Sequence, residues 1–68
     1  MNEDNFNMSI RKFLKMTGVG SQREIEQAVT KALAEGKLEG LGKLPVSMKL
    51  SIPSLDLDVS FDGDITLE

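Results

Sequence analysis

The C-terminal part of the chain, residues 46–68, alternates between apolar and polar side chains with almost no interruption. Apolar residues occupy even positions over 46–52 and odd positions over 55–67, and the parity changes at Pro53-Ser54. Alternation with a period of two is typical of a β-sheet with one apolar face and one solvated face. The sequence therefore predicts a sheet in this region.

Three strands are predicted, at about 46–52, 56–61 and 64–67. Directly paired residues share a face of the sheet, so the change of parity requires an even-numbered loop between the first two strands. A two-residue loop is excluded because Pro53 cannot adopt the positive φ that it needs. A loop from Pro53 to Asp56 fits, and it pairs Ile52 with Leu57, Leu50 with Val59 and Met48 with Phe61.

The second turn follows from an Asp-Gly pair between two strands of equal parity, which require an odd-numbered loop. The sequence predicts a three-residue loop, Phe61-Asp62-Gly63, with Gly63 left-handed. The alternative loop, Asp62 to Asp64, shifts the register by two residues and keeps every side chain on its face.

Two helices are predicted before the strands, at about 3–17 and 22–35. Asn2 is the expected N-cap of the first helix, and Gly18 is its expected left-handed stop. The second helix should begin at a capping box formed by Ser21 and Glu24, and it should end at Gly36. Residues 36–45 are then a connector.

The predicted fold is a single α+β domain over residues 1–68, in the order αα-βββ. A two-helix hairpin should pack on one face of a three-stranded antiparallel meander. The core is expected to contain Phe6, Ile10, Phe13, Leu14, Ile25, Val29, Leu33, Leu50, Leu57, Val59 and Ile65.

Composition removes several kinds of chemistry. The 68 residues include no cysteine and no histidine, which excludes disulfides, thiol and serine–histidine catalysis, and nearly every zinc site. A domain of this size buries only about 60% of its unfolded surface, so oligomerisation is a common source of stability. A homodimer through the edge strand 46–52 is therefore a candidate assembly.

Charge and hydropathy bear on partners and location. The net charge is −3, from 11 acidic and 8 basic residues, which disfavours nucleic-acid binding. No apolar run reaches the ~18 residues that span a bilayer, and the N-terminus is too acidic and polar for a secretory signal. The sequence therefore predicts a cytoplasmic protein with no membrane partner.

One short motif suggests a metal site. Residues 58–65 match the first eight positions of an EF-hand calcium loop, with Asp58, Ser60, Asp62 and Asp64 as the oxygen ligands. The twelfth position, where the bidentate glutamate belongs, lies beyond the chain end, and Glu68 is the eleventh. The segment before the loop is strand-like, and no exiting helix is predicted. A hairpin turn on a polar sheet face explains the same residues, so calcium binding is kept as a hypothesis.

Three segments of the chain carry a resemblance to known sequences. They are MNED-x-F followed by NMSIRKFLK, then GV-x-SQREIE, and finally LDLDVSFDGDITLE. Together they resemble a family of short bacterial proteins of unknown function, and the resemblance covers nearly all of the chain. It implies a bacterial cytosolic origin, and it supplies no activity, cofactor or catalytic residue.

The function most consistent with the sequence is a non-enzymatic interaction or assembly module, whose partner is another protein or a second copy. The alternatives are a small helix-turn-helix-like regulator that binds nucleic acid, and a calcium-binding domain that uses the Asp58–Asp64 loop. No catalytic residue and no cofactor are assigned.

Overall fold

The computed structural model describes every residue from Met1 to Glu68. The chain forms helix α1 (Glu3–Ala34), strand β1 (Lys43–Ile52), a single 3-10 turn (Pro53–Leu55) and strand β2 (Leu57–Thr66). It divides into two compact units, Met1–Leu38 with the helix and Glu39–Glu68 with the two strands. The fold class is α+β, with one helix and one two-stranded antiparallel sheet.

Both ends of α1 follow the sequence signals. Asn2 is the N-cap, and its side-chain oxygen accepts a hydrogen bond of 3.0 Å from the Asn5 amide. At the other end Gly36 has a φ of +71°, and the Lys37 amide donates to the Ala32 carbonyl at 3.0 Å. These bonds satisfy backbone groups that have no partner within the helix. The predictions for Asn2 and Gly36 are confirmed.

The predicted break between two helices is wrong, because α1 continues through residues 18–21. Gly18 and Gly20 are helical, and Ser21 caps nothing. A glycine inside a helix costs only about 1 kcal/mol relative to alanine, which does not by itself end a helix. The side-chain spacing also crosses the supposed break, since one stripe at intervals of three or four contains Ile10, Leu14, Thr17, Ser21, Ile25, Ala28 and Ala32. With one helix, the helix-turn-helix outline does not form.

Strands β1 and β2 form an antiparallel hairpin in the predicted register. Ile52 pairs with Leu57 across the loop 53–56, and the predicted pairs Leu50–Val59 and Met48–Phe61 are also confirmed. Asp56 ends the loop with a φ of 52°, and its amide donates to the Pro53 carbonyl at 3.1 Å. An aspartate tolerates this left-handed conformation better than most residues do.

The three-stranded meander is wrong, because one strand covers both the predicted second and third strands. Gly63 lies within β2, pairs with Val46 and has no positive φ. Strand β1 begins at Lys43, inside the predicted connector, so it provides partners for the whole of β2. The predicted second and third strands both have their apolar residues at odd positions, and one uninterrupted strand gives the same pattern. In this chain the continuous ladder of hydrogen bonds between β1 and β2 outweighs the Asp-Gly turn signal.

The predicted core does not form. No residue of the chain is buried, and each predicted core side chain is half-buried or exposed. Within each unit the reason is architectural: the first unit contains a single helix and the second a single two-stranded sheet, so neither unit provides two layers of its own.

Candidate interaction surfaces

The hairpin has one face made entirely of apolar residues and one glycine. Directly paired residues share a face, so the even residues of β1 and the odd residues of β2 lie together. We call this surface the apolar face. It contains Leu44, Val46, Met48, Leu50, Ile52, Leu57, Val59, Phe61, Gly63 and Ile65. With two strands of ten residues, it extends for about 34 Å along the hairpin.

Phe61 and Gly63 give the apolar face a protrusion beside a hollow. Phe61 is 60% exposed, the largest exposure among the large apolar side chains of this face, and its partner Met48 is 46% exposed. Two residues further along the strand, a Cβ added to Gly63 would meet only the Val46 Cγ1, at 4.0 Å. A bulky side chain therefore stands next to an open space that a bulky side chain can fill.

The opposite face of the hairpin is polar and carries charge of different sign on its two strands. Lys43 and Lys49 lie on β1, whereas β2 carries three aspartates, which we call the acidic row: Asp58, Asp62 and Asp64. The Lys49 ammonium lies 3.5 Å from an Asp58 carboxylate oxygen, and both side chains are well exposed. Such a pair contributes little to stability.

The four residues of the calcium hypothesis, Asp58, Ser60, Asp62 and Asp64, all lie on this polar face. They occupy alternate positions of an extended strand, where successive side chains on one face are about 7 Å apart. A calcium loop instead folds its oxygen ligands around one point. The structure contains no group of three acidic side chains that could hold a metal ion. The calcium hypothesis stays a prediction of the sequence, and the structure adds no geometry to it.

One side of the middle of α1 carries a shallow, open depression lined by apolar and basic residues, which we call the basic groove. It has a volume of about 460 Å³ and is lined by Lys12, Lys15, Met16, Val19, Gly20 and Arg23. Met16 and Val19 are 63% and 54% exposed, and the glycine adds no side chain to the floor. Neither of the two ion pairs in the structure involves a groove cation.

The predicted break between two helices hides the basic groove, because it places Arg23 in a separate helix. In one continuous helix Arg23 follows Lys12 by eleven residues, which at about 100° per residue puts both on the same face. The signal was present as a run of charge: residues 11–23 contain four cations and no acidic residue. Although α1 is 32 residues long, it is not apolar enough to cross a membrane.

Comparison with known proteins places the chain at the level of a family. The model of the family of unknown function DUF6494 matches residues 1–68, the whole chain. The chain belongs to this family. No curated protein and no solved structure matches it. The predicted resemblance to a family of short proteins of unknown function is thereby confirmed, and the apolar face and the basic groove are features of a DUF6494 chain.

Proposed function

We propose that this DUF6494 chain is a non-enzymatic assembly module that associates with a second copy of itself through the apolar face of its hairpin. The observation that carries the proposal is a complete apolar sheet face in a chain that has no buried residue. A two-stranded hairpin is at best marginally stable alone in water. Covering its apolar face therefore stabilises both the hairpin and the assembly.

The apolar face is open enough to receive a partner. Met48, Val59 and Phe61 are 46%, 38% and 60% exposed, and no residue of the face is buried. Homodimer interfaces are more apolar than the rest of a protein surface, so a face made only of apolar side chains and one glycine is typical of them.

The shape of the apolar face favours a second copy as the partner. A two-fold axis brings the same patch of each copy together, so a protrusion and a hollow on one patch can serve both copies. Phe61 of each copy would fill the space above Gly63 of the other. The two sheets would then stack about 10 Å apart, as in other sheet-on-sheet packings.

Edge pairing through strand 46–52 is the second route to a homodimer. A two-stranded sheet leaves an outer edge on β1, and unpaired edges recruit strands. Pro45 and Lys49 make that edge less suitable for pairing. Edge pairing would also set two hairpins side by side with their apolar faces uncovered, so face-to-face packing is the arrangement we favour.

The proposed setting is the cytoplasm of a bacterium. It rests on the resemblance of the chain to a family of short bacterial proteins. The sequence alone allows either another protein or a second copy as the partner, and this proposal chooses the second copy.

The mass in solution tests the proposal. We expect sedimentation equilibrium to give a mass above 7.5 kDa that rises toward twice that value with increasing concentration. A constant monomer mass up to millimolar concentration would show that the chain covers its own apolar surface, and the proposal would then be wrong.

A further inference from the structure

The charges of the chain are segregated along the sequence. Residues 11–23 contain Arg11, Lys12, Lys15 and Arg23 with no acidic residue, whereas residues 50–68 contain five acidic residues and no basic one. In a chain of net charge −3, the basic groove is thus an isolated positive region. The acidic row is its counterpart on the hairpin, where three carboxylates share one exposed face.

We propose that the basic groove of one copy binds the acidic row of a second copy, so that charge pairing sets how the assembly forms. This inference rests on the proposed self-association, and it assigns a role to two surfaces that the apolar contact does not use. When the apolar faces stack, the polar faces of both hairpins point outward and stay accessible.

The spacing of the charges matches on the two surfaces. Along α1 the axial distance from Lys12 to Lys15 is about 4.5 Å, and from Lys15 to Arg23 it is about 12 Å. Along β2 the step from Asp64 to Asp62 is about 7 Å, and from Asp62 to Asp58 about 14 Å. Each surface has a short step followed by a long one, and flexible lysine and arginine side chains span differences of a few ångströms.

The matching order defines the pairs and the direction. With α1 antiparallel to β2, Lys12 meets Asp64, Lys15 meets Asp62 and Arg23 meets Asp58. Asp58 already has Lys49 beside it, and a carboxylate accepts hydrogen bonds from both cations. Ser60 is small and lies between two aspartates of the row, which leaves room for Met16 and Val19 on the groove floor.

Complementary charge reversal tests the contact in the full chain. One variant reverses the groove (Lys12→Glu, Lys15→Glu, Arg23→Glu), and the other reverses the row (Asp58→Lys, Asp62→Lys, Asp64→Lys). Each variant alone should self-associate at least about tenfold more weakly than the wild type, because like charges would then face each other. An equimolar mixture should form a 1:1 heterodimer within about threefold of the wild-type affinity, because opposite charges meet again.

A control variant and the pattern of results separate this inference from the proposed function. Lys31→Glu with Lys37→Glu reverses two cations outside residues 11–23, and it should associate within about twofold of the wild type. A wild-type dimer whose groove variant associates as tightly as the control overturns the charge contact and leaves the apolar contact standing. A mixture that stays monomeric also overturns it, since mixing restores contacts between chains only. A monomeric wild type overturns both proposals.

Discussion

Phe61→Lys should weaken self-association at least about 100-fold. Burying a phenylalanine side chain contributes about 2 kcal/mol, a two-fold interface loses that contribution twice, and a tenfold change in affinity corresponds to about 1.4 kcal/mol. The substitution also places an ammonium group in the middle of an apolar contact. Because Phe61 is 60% exposed in the single chain, its removal creates no cavity there. Sedimentation equilibrium of the variant against the wild type measures the loss.

Thr66→Lys is the matched control, because residue 66 belongs to the same strand, lies on the opposite face and is outside the acidic row. It adds the same charge outside the apolar contact, and its effect on association should stay below about tenfold. Phe61→Leu keeps an apolar side chain and should retain most of the affinity. Equal losses in Phe61→Lys and Thr66→Lys would show that added charge, and not the apolar face, controls association. Far-UV circular dichroism monitors the secondary structure of each variant.

Gly18→Ala should stabilise the protein by about 1 kcal/mol, because alanine is the better residue inside a helix. A Cβ at this position meets no atom within 4 Å, so no steric cost offsets the gain. If Gly18 ended a first helix in the left-handed conformation, the same change would destabilise the protein by a similar amount. Denaturant titration at a fixed protein concentration gives the sign.

Gly36→Ala is the internal comparison for that experiment. Gly36 has open space around it, as Gly18 does, but its φ is +71°. Alanine there should cost about 1 kcal/mol, since the left-handed region is strained for residues with a Cβ. Stabilisation by Gly18→Ala with destabilisation by Gly36→Ala is the pattern that a single helix ending near residue 34 requires. Two changes of the same sign would contradict the helix bounds.

In the hairpin, the alternation of apolar and polar residues is enough to predict one loop and the register of the strands. Parity counting gave the loop 53–56 and the register from Ile52–Leu57 to Met48–Phe61, because both depend only on which residues share a face. It could not show that Gly63 continues a strand, since a glycine after an aspartate is equally common in a turn. The deciding fact is that residues 43–45 pair with β2, whereas the sequence predicts a connector there.

In α1 the local signals for helix ends are correct at the two termini and wrong in the middle. The signals at its ends, Asn2 and Gly36, were correct, but the same kinds of signal at Gly18 and Ser21 were overridden. A glycine stop is a local preference of about 1 kcal/mol, whereas an uninterrupted helix keeps its hydrogen-bond ladder across residues 18–21. That misplaced break also hid the basic groove, because it separated Arg23 from Lys12 and Lys15.

The most direct test of the account is the dependence of thermal stability on protein concentration. If a second copy covers the apolar face, folding is coupled to association, and mass action makes Tm depend on concentration. We expect the unfolding midpoint, followed by far-UV circular dichroism, to rise steadily as the concentration is raised from micromolar to millimolar. A midpoint that stays constant over this range, together with a mass fixed at 7.5 kDa, would contradict the account.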